Sequence, residues 1–418
     1  MSRISYRELL WDFSYEGPLR KGGTKLRVFS TEQQMFETSG RSYPVFPVSL
    51  PTDGSTDPNQ PRSAWTRSRV PQEFAADLGR RLWEAIPFEA KTPLLEATPD
   101  QPWRLKISSN SPRIDDLPWE WLNDGSARPA FALRPEIRLA RSIPIRIAMP
   151  PMRVQPPLRV LLVITNPKDE RLLNPWAEIE AIRPRLAGPP YQLRILEEPT
   201  WDALVSTLRD EPHIVHYIGH AGIDRGEGNL ILHDWRNVSH WISGVDLSKV
   251  LPVSVRLLCL STCYTTQNYQ IFGLPRFAHT SALYRLPSLV TNQYPVGEQS
   301  VRVFWSNFYE LLIQHGGNLN EAFHEAQQAV ALVPDSWADW GSFSLVIRDQ
   351  SGELMRVEQV AQESPAAFAE EVQAQFASRL ANDLAARLRS FGDEAPKSIQ
   401  ESFQEEAEKA SGLTQKLL

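Results

Sequence analysis

Cysteine is almost missing from this chain: 418 residues hold two, Cys259 and Cys263. They lie four apart at the end of one predicted strand, a spacing awkward for a disulfide, so both are read as reduced thiols. Long hydrophobic runs are also missing. None approaches the roughly eighteen residues that span a bilayer, and the start, MSRISYRELLWDF, lacks the basic-then-apolar layout of a secretory signal. The expected address is the cytoplasm, with no membrane partner. A strong charge of one sign is lacking too. The net charge of -6 and pI near 5.9 give no electrostatic case for nucleic acid. No internal repeat of solenoid length occurs.

What is present is an ordinary globular composition, 42% hydrophobic and 22% charged, enough for a sizeable core in two or three domains. Up to about Pro51, short apolar pieces (LLWDFSY, KLRVFS, YPVFPVSL) alternate with Gly and Pro, which suits strands and hairpins. VPQEFAADLGRRLWEAI then has helical spacing, PWRLKISS reads as a strand, and LPWEWLND is an aromatic segment. Residues 1–150 are expected to form a smaller α+β domain.

From about Pro156 the pattern becomes regular βα alternation. LRVLLVIT, YQLRILEE, HIVHYIGH, VRLLCLST, PSLVTNQY and GSFSLVIRD read as strands, nearly continuous in apolar character as burial on both faces requires. Helices are predicted at PWAEIEAIRPRLAG, at TWDALVSTLRDE behind a Thr cap, at VDLSKVL, and as a pair between Glu298 and Val333; GNLILHD suggests a hairpin. Residues 151–350 thus predict an α/β domain with a mainly parallel sheet. Residues 351–418 carry twelve acidic against seven basic side chains, so most of the net negative charge belongs to this tail. Phe368, Val372, Phe376, Leu380, Leu384 and Leu388 recur every four residues there, and Ile399, Phe403, Leu413 and Leu417 continue a weaker series after FGDEAP, predicting a helical hairpin whose apolar stripe packs on the protein or on itself, receives a regulatory partner, or leaves the tail partly disordered.

Two of the predicted strands end in reactive side chains. HIVHYIGHAG runs out at His220, and VRLLCLSTCYTT at Cys263. A thiol and an imidazole at one rim of a parallel sheet are the minimum equipment for acyl transfer by a cysteine nucleophile. Cys259, inside the apolar LLCL run, reads as core. His216 and His220 are four apart, but no Cys or carboxylate at metal-ligand spacing accompanies them, so neither a metal nor a cofactor is expected. Trp119 and Trp121 read as buried aromatic packing, with Glu120 between them anchoring a structural hydrogen bond.

The segments LPWEWLNDG, FALRPEIRLARS, LRVLLVITNP with AEIEAI downstream, IVHYIGHAG, LLCLSTCYT, TNQYPVGEQSVRVFWSNFYELL, LNEAFHEAQQAV and WGSFSLVI, in this order, resemble the CHAT domain, a caspase-like and separase-like family of clan CD cysteine peptidases. The resemblance implies a caspase-like three-layer αβα sandwich, preceded by the smaller α+β domain and followed by the helical tail. It makes His220 the catalytic histidine and Cys263 the nucleophile, with backbone N–H groups of Cys263 and Ala221 holding the oxyanion. Ala221 departs from the glycine usual after the histidine. Ser261 stands where many metacaspase-like members carry Asp. Glu298 is placed either in the primary pocket, favouring a basic P1 residue, or as an acid complementing a helix N-terminus. The implied function is regulated, limited cleavage of a specific and co-encoded protein partner in a prokaryotic defence or death circuit. The alternative is a CHAT-fold scaffold with little or no activity, acting in protein assembly.

Overall fold

Every second residue of the first predicted strand is large and apolar, and the strand forms accordingly. A computed structural model describes residues 6–16, 23–30, 45–48, 69–109, 112–115, 117–142, 152–170, 173–224, 227–264, 286–348 and 355–357. In it β1 (Arg7–Glu16) buries Leu9, Trp11 and Phe13 on one face. β1 pairs antiparallel with β2 (Gly23–Ser30), β2 pairs with β3 (Val45–Val48), and β1 runs parallel to β4 (Trp103–Ser109). Parallel neighbours need a crossover, which here includes α1 (Gln72–Ala85) and α2 (Phe88–Leu95). β5 (Ile137–Ser142) follows alongside β4, and β6 (Met152–Val154) pairs away from the main sheet with β15 (Met355–Val357).

The βα alternation expected after Pro156 is there. β7 (Leu158–Ile164), α3 (Trp176–Leu186), β8 (Tyr191–Glu197) and α4 (Trp201–Leu208) lead into β9 (Ile214–Asp224), β10 (Glu227–His233) and β11 (Ser239–Ser243). Next come α5 (Gly244–Val250), β12 (Leu257–Tyr264), β13 (Ser288–Asn292), α6 (Glu298–Gln314), α7 (Leu319–Ala331) and β14 (Phe343–Ile347). α4 starts where its cap predicts, the Thr200 hydroxyl accepting from Ala203 N–H.

Two apolar clusters flank the sheet. One gathers Ile179 and Ile182 of α3, Phe304, Phe308 and Leu312 of α6 and Phe323 of α7 against Ile214, Ile218, Leu257 and Cys259. The other sets Leu204 and Leu208 of α4 and Leu247 of α5 against Val215, Tyr217, Leu258 and Leu260. Alternate residues of β9 and β12 serve opposite layers, which is the three-layer α/β sandwich.

The strands lie in the order β11-β10-β9-β12-β13-β14-β5-β4-β1-β2-β3, with β7 and β8 branching from β9. The sheet therefore runs unbroken across the expected boundary near residue 150. β14 makes the join, pairing antiparallel with β13 on one edge and in parallel on the other, through Val346↔Arg141 and Ile347↔Ser142 of β5. The chain divides into compact units at Met1–Glu358 and Gln359–Leu418. The predicted helical tail falls outside the described residues. No helix among the described residues is long and apolar enough to cross a membrane.

Candidate active site

β9 and β12 are adjacent and parallel, and their register runs from Leu257↔Ile214 to Cys263↔His220 and Tyr264↔Ala221. Neighbouring strands lie about 4.8 Å apart, so the backbones of Cys263 and His220 are direct neighbours although 43 positions separate them in sequence. Cys263 is the penultimate residue of its strand, as expected. His220 is not at a strand end: β9 continues to Asp224. The extra length comes from β10, which folds back antiparallel on Ala221–Asp224. On that same edge β9 is paired with β7 only from Ile214 to Ile218. The edge forks between the two partners, at Gly219 and His220.

Side chains complete the backbone at this fork. The Tyr217 hydroxyl, 2.9 Å from the Thr165 hydroxyl, lies 2.6 Å from the His220 carbonyl and 2.7 Å from the Ile231 carbonyl, which share its one proton. Burial raises the Tyr217 pKa, so the phenol stays protonated and able to donate. Glycine is required here by close approach. A Cβ on Gly219 would stand 2.1 Å from the Thr165 hydroxyl, and one on Gly222 would stand 2.4 Å from the Trp241 ring. His220 itself is fully buried.

A polar network lies on the opposite layer, just before the pair. Glu178 of α3 accepts from the Ser261 hydroxyl at 2.7 Å with one oxygen and faces His216 Nε2 at 3.3 Å with the other. His216 Nδ1 meets the Tyr309 hydroxyl at 2.8 Å, and that hydroxyl lies 3.7 Å from the Cys259 sulfur. Burial pushes the Cys259 thiol well up, and Tyr309 likewise. Cys259 is thus an inert core thiol, as its apolar neighbours predict. The carboxylate that the Ser261 position lacks in sequence arrives from another element. Nothing in the strand itself announces Glu178; only its burial on an otherwise apolar helix face sets it apart.

On the other edge of β12, Asn292 Oδ1 accepts from Thr262 N–H at 3.2 Å, and Asn292 Nδ2 donates to Thr262 O at 3.1 Å. Both backbone groups of Thr262 thus face β13. Strand alternation then turns those of Cys263 toward β9. The N–H groups of Cys263 and Ala221, expected to hold an oxyanion, accordingly belong to residues inside the β9–β12 ladder.

Glu298 is the first residue of α6 and pairs with Arg302 one turn on, at 2.5 Å. The helix start is held by Asp339, whose Oδ2 accepts from Gly297 N–H at 3.0 Å, Ser300 Oγ at 2.6 Å and Arg69 at 2.8 Å. The aromatic segment packs beneath the loop between β13 and α6. Trp121 stacks on Tyr294 at 4.8 Å and Trp119 on Phe13 at 5.0 Å, while Glu120 accepts from Arg141 at 2.9 and 2.6 Å. Both indoles are buried, as predicted. Among the described residues no cluster of three or more His, Cys, Asp or Glu could hold a metal ion.

A family model described as CHAT domain matches residues 72–349. Comparison with curated proteins gives no match. Among solved structures, the chain is similar to separase in the Saccharomyces cerevisiae separase–securin complex, at 12% identity and a TM-score of 0.36, over 66% of this chain and 18% of that one. It is also similar to the Arg-specific cysteine proteinase gingipain R, at 11% identity and a TM-score of 0.40, over 66% of this chain and 73% of that one. The chain therefore spans less than a fifth of the separase chain it matches.

Proposed function

The chain belongs to the CHAT domain family, and from that premise we propose that it is a caspase-like cysteine endopeptidase with Cys263 as nucleophile and His220 as proton-transfer partner. The observation that carries the reading is the register: two residue types able to run acyl transfer face each other across one rung of a parallel ladder. The Cys263 thiolate adds to the scissile carbonyl, and His220 protonates the departing amine. Water, giving its proton to His220, then hydrolyses the thioester and restores the thiol. For the N–H groups of Cys263 and Ala221 to receive the oxyanion, the last rungs of the β9–β12 ladder must part when substrate docks. Glu298 favours a basic residue before the cut.

The substrate is a protein encoded beside this one, cut at one or a few sites in the cytoplasm as part of a prokaryotic defence or death circuit. The C-terminal tail, helical by its sequence pattern alone, receives a regulatory partner. A scaffold of the same family, assembling proteins without cutting them, is the second reading, and the complete burial of His220 favours it.

Thiol labelling separates the two. With iodoacetamide and mass-spectrometric mapping, the peptidase alkylates at Cys263 at least about tenfold faster than at Cys259, and His220→Ala removes the difference. Slow, equal labelling of both cysteines would leave the scaffold. For the peptidase, incubation with proteins encoded nearby, compared against Cys263→Ala, then maps the cut.

A further inference from the structure

We propose that Asn292 is a positioning residue for the Cys263 nucleophile, a reading that rests on the assignment of Cys263 above. The backbone ladder between β12 and β13 has three rungs, Leu258↔Leu289, Cys259↔Val290 and Leu260↔Thr291, and ends two residues short of Thr262. Beyond it, the Asn292 carboxamide does what a strand backbone would do. It accepts from Thr262 N–H at 3.2 Å and donates to Thr262 O at 3.1 Å and Tyr294 O at 3.4 Å. Thr262 O belongs to the peptide group whose nitrogen is that of Cys263. A peptide group is planar, so fixing its oxygen fixes the direction of the Cys263 N–H and the start of the nucleophile's own backbone.

The carboxamide is itself rigidly placed. Asn292 is buried, and the two residues after it are held independently. Gln293 N–H donates to Ser342 O at 2.7 Å and Gln293 Oε1 accepts from Arg141 at 2.9 Å, while Tyr294 stacks on Trp121. Arg141 is in turn gripped by Glu120. A chain of contacts thus leads from the N-terminal half of the sheet, through three consecutive residues, to the peptide bond before Cys263. A carboxamide offers an acceptor and a donor on two separate atoms without charge, matching the N–H and C=O of one backbone residue. An Asp would keep the acceptor for Thr262 N–H and set a second oxygen against Thr262 O. Its protonated form would restore the donor.

The test compares two reagents on full-length protein. Iodoacetamide needs only a reactive thiolate. A peptidyl chloromethyl ketone, whose chloride leaves as sulfur bonds to the methylene carbon, needs the thiolate placed against a docked carbonyl. A panel with basic, acidic and apolar P1 residues identifies the ketone that labels wild type fastest. Asn292→Ala is expected to slow that ketone about tenfold or more and iodoacetamide less than about threefold. Asn292→Asp is expected to be slow at about pH 8 and to recover relative to wild type toward about pH 5.5, as the carboxyl gains its proton. The Asp variant also serves if the Ala variant does not fold. Ketone rates within about twofold of wild type, equal slowing by both reagents, or an Asp variant with a flat ratio across pH would each overturn the inference. Failure of the assignment beneath it looks different: no ketone would label wild-type Cys263 faster than His220→Ala, and the inference would fall with it.

Discussion

The two cysteines hold different places on one strand. Cys259 sits where apolar neighbours and the Tyr309 ring exclude water, and burial keeps its thiol protonated. Cys263, four residues later, holds the last rung but one, opposite a histidine. Polar neighbours follow the same rule of supply from elsewhere: Ser261 borrows a carboxylate from Glu178, and Glu120 anchors Arg141. Glu298 pairs with Arg302 within its own helix, and the proposed pocket role would set a basic P1 side chain of a substrate in competition with that pair. Its side chain is 61% exposed, so pairing with Arg302 is worth little and can be exchanged. If the pocket role holds, Glu298→Ala lowers kcat/KM for Arg or Lys at P1 about tenfold against apolar P1 residues in a scanned peptide library. A library cut identically by wild type and variant would leave Glu298 as a helix-terminus acid alone.

At the scale of elements, the fork of β9 organises the site. One strand is shared by β12 along one edge, and by β7 and then β10 along the other. The change of partner leaves the His220 carbonyl to the Tyr217 hydroxyl. This arrangement leaves no room for a side chain at Gly219. Gly219→Ala is therefore expected to destabilise the fold by about 1–3 kcal/mol, the usual range for overpacking, despite removing a flexible residue. Urea denaturation measures it, and Thr165→Ala, which clears the nearest atom, should return part of the loss. An unchanged midpoint in Gly219→Ala would contradict the close approach. Individual strands here were legible from apolar runs and β-branched residues. The fork was not, because antiparallel return onto part of a strand leaves no mark in either segment's own pattern.

Over the whole molecule, burial holds two histidines, His213 and His324, below their ordinary pKa. His213 accepts from Arg159 N–H at 3.0 Å, and burial with the Arg159 charge holds its pKa down to about 4. His324 on α7 is held down to about 3, by burial and then by Arg138. Both folded values lie below the unfolded value of about 6.5, so the unfolded chain binds protons first as pH falls. Stability is complete above about pH 6.5 and is lost below it, toward the folded values. The slope is up to about 1.4 kcal/mol per pH unit for each histidine. Denaturant titrations between about pH 7 and about pH 4.5 should show the decline, shallower by about one proton in His324→Gln. Equal slopes in the two proteins would remove His324 from the account.

Sequence alone determined the types of the main described strands and helices, the α/β class, the core cysteine at 259 and, through ordered motifs, the family, because periodicity and local composition are set by neighbours along the chain. It also brought His220 and Cys263 forward as separate residues at separate strands. Only the tertiary structure decided that those strands are adjacent and in register. It joined the N-terminal strands to the same sheet through β14, and it brought Glu178 to Ser261 and Asn292 to Thr262. Register and cross-sheet contacts arise from pairing between distant segments, where the hydrogen-bonding groups are the same in every residue and carry no sequence label.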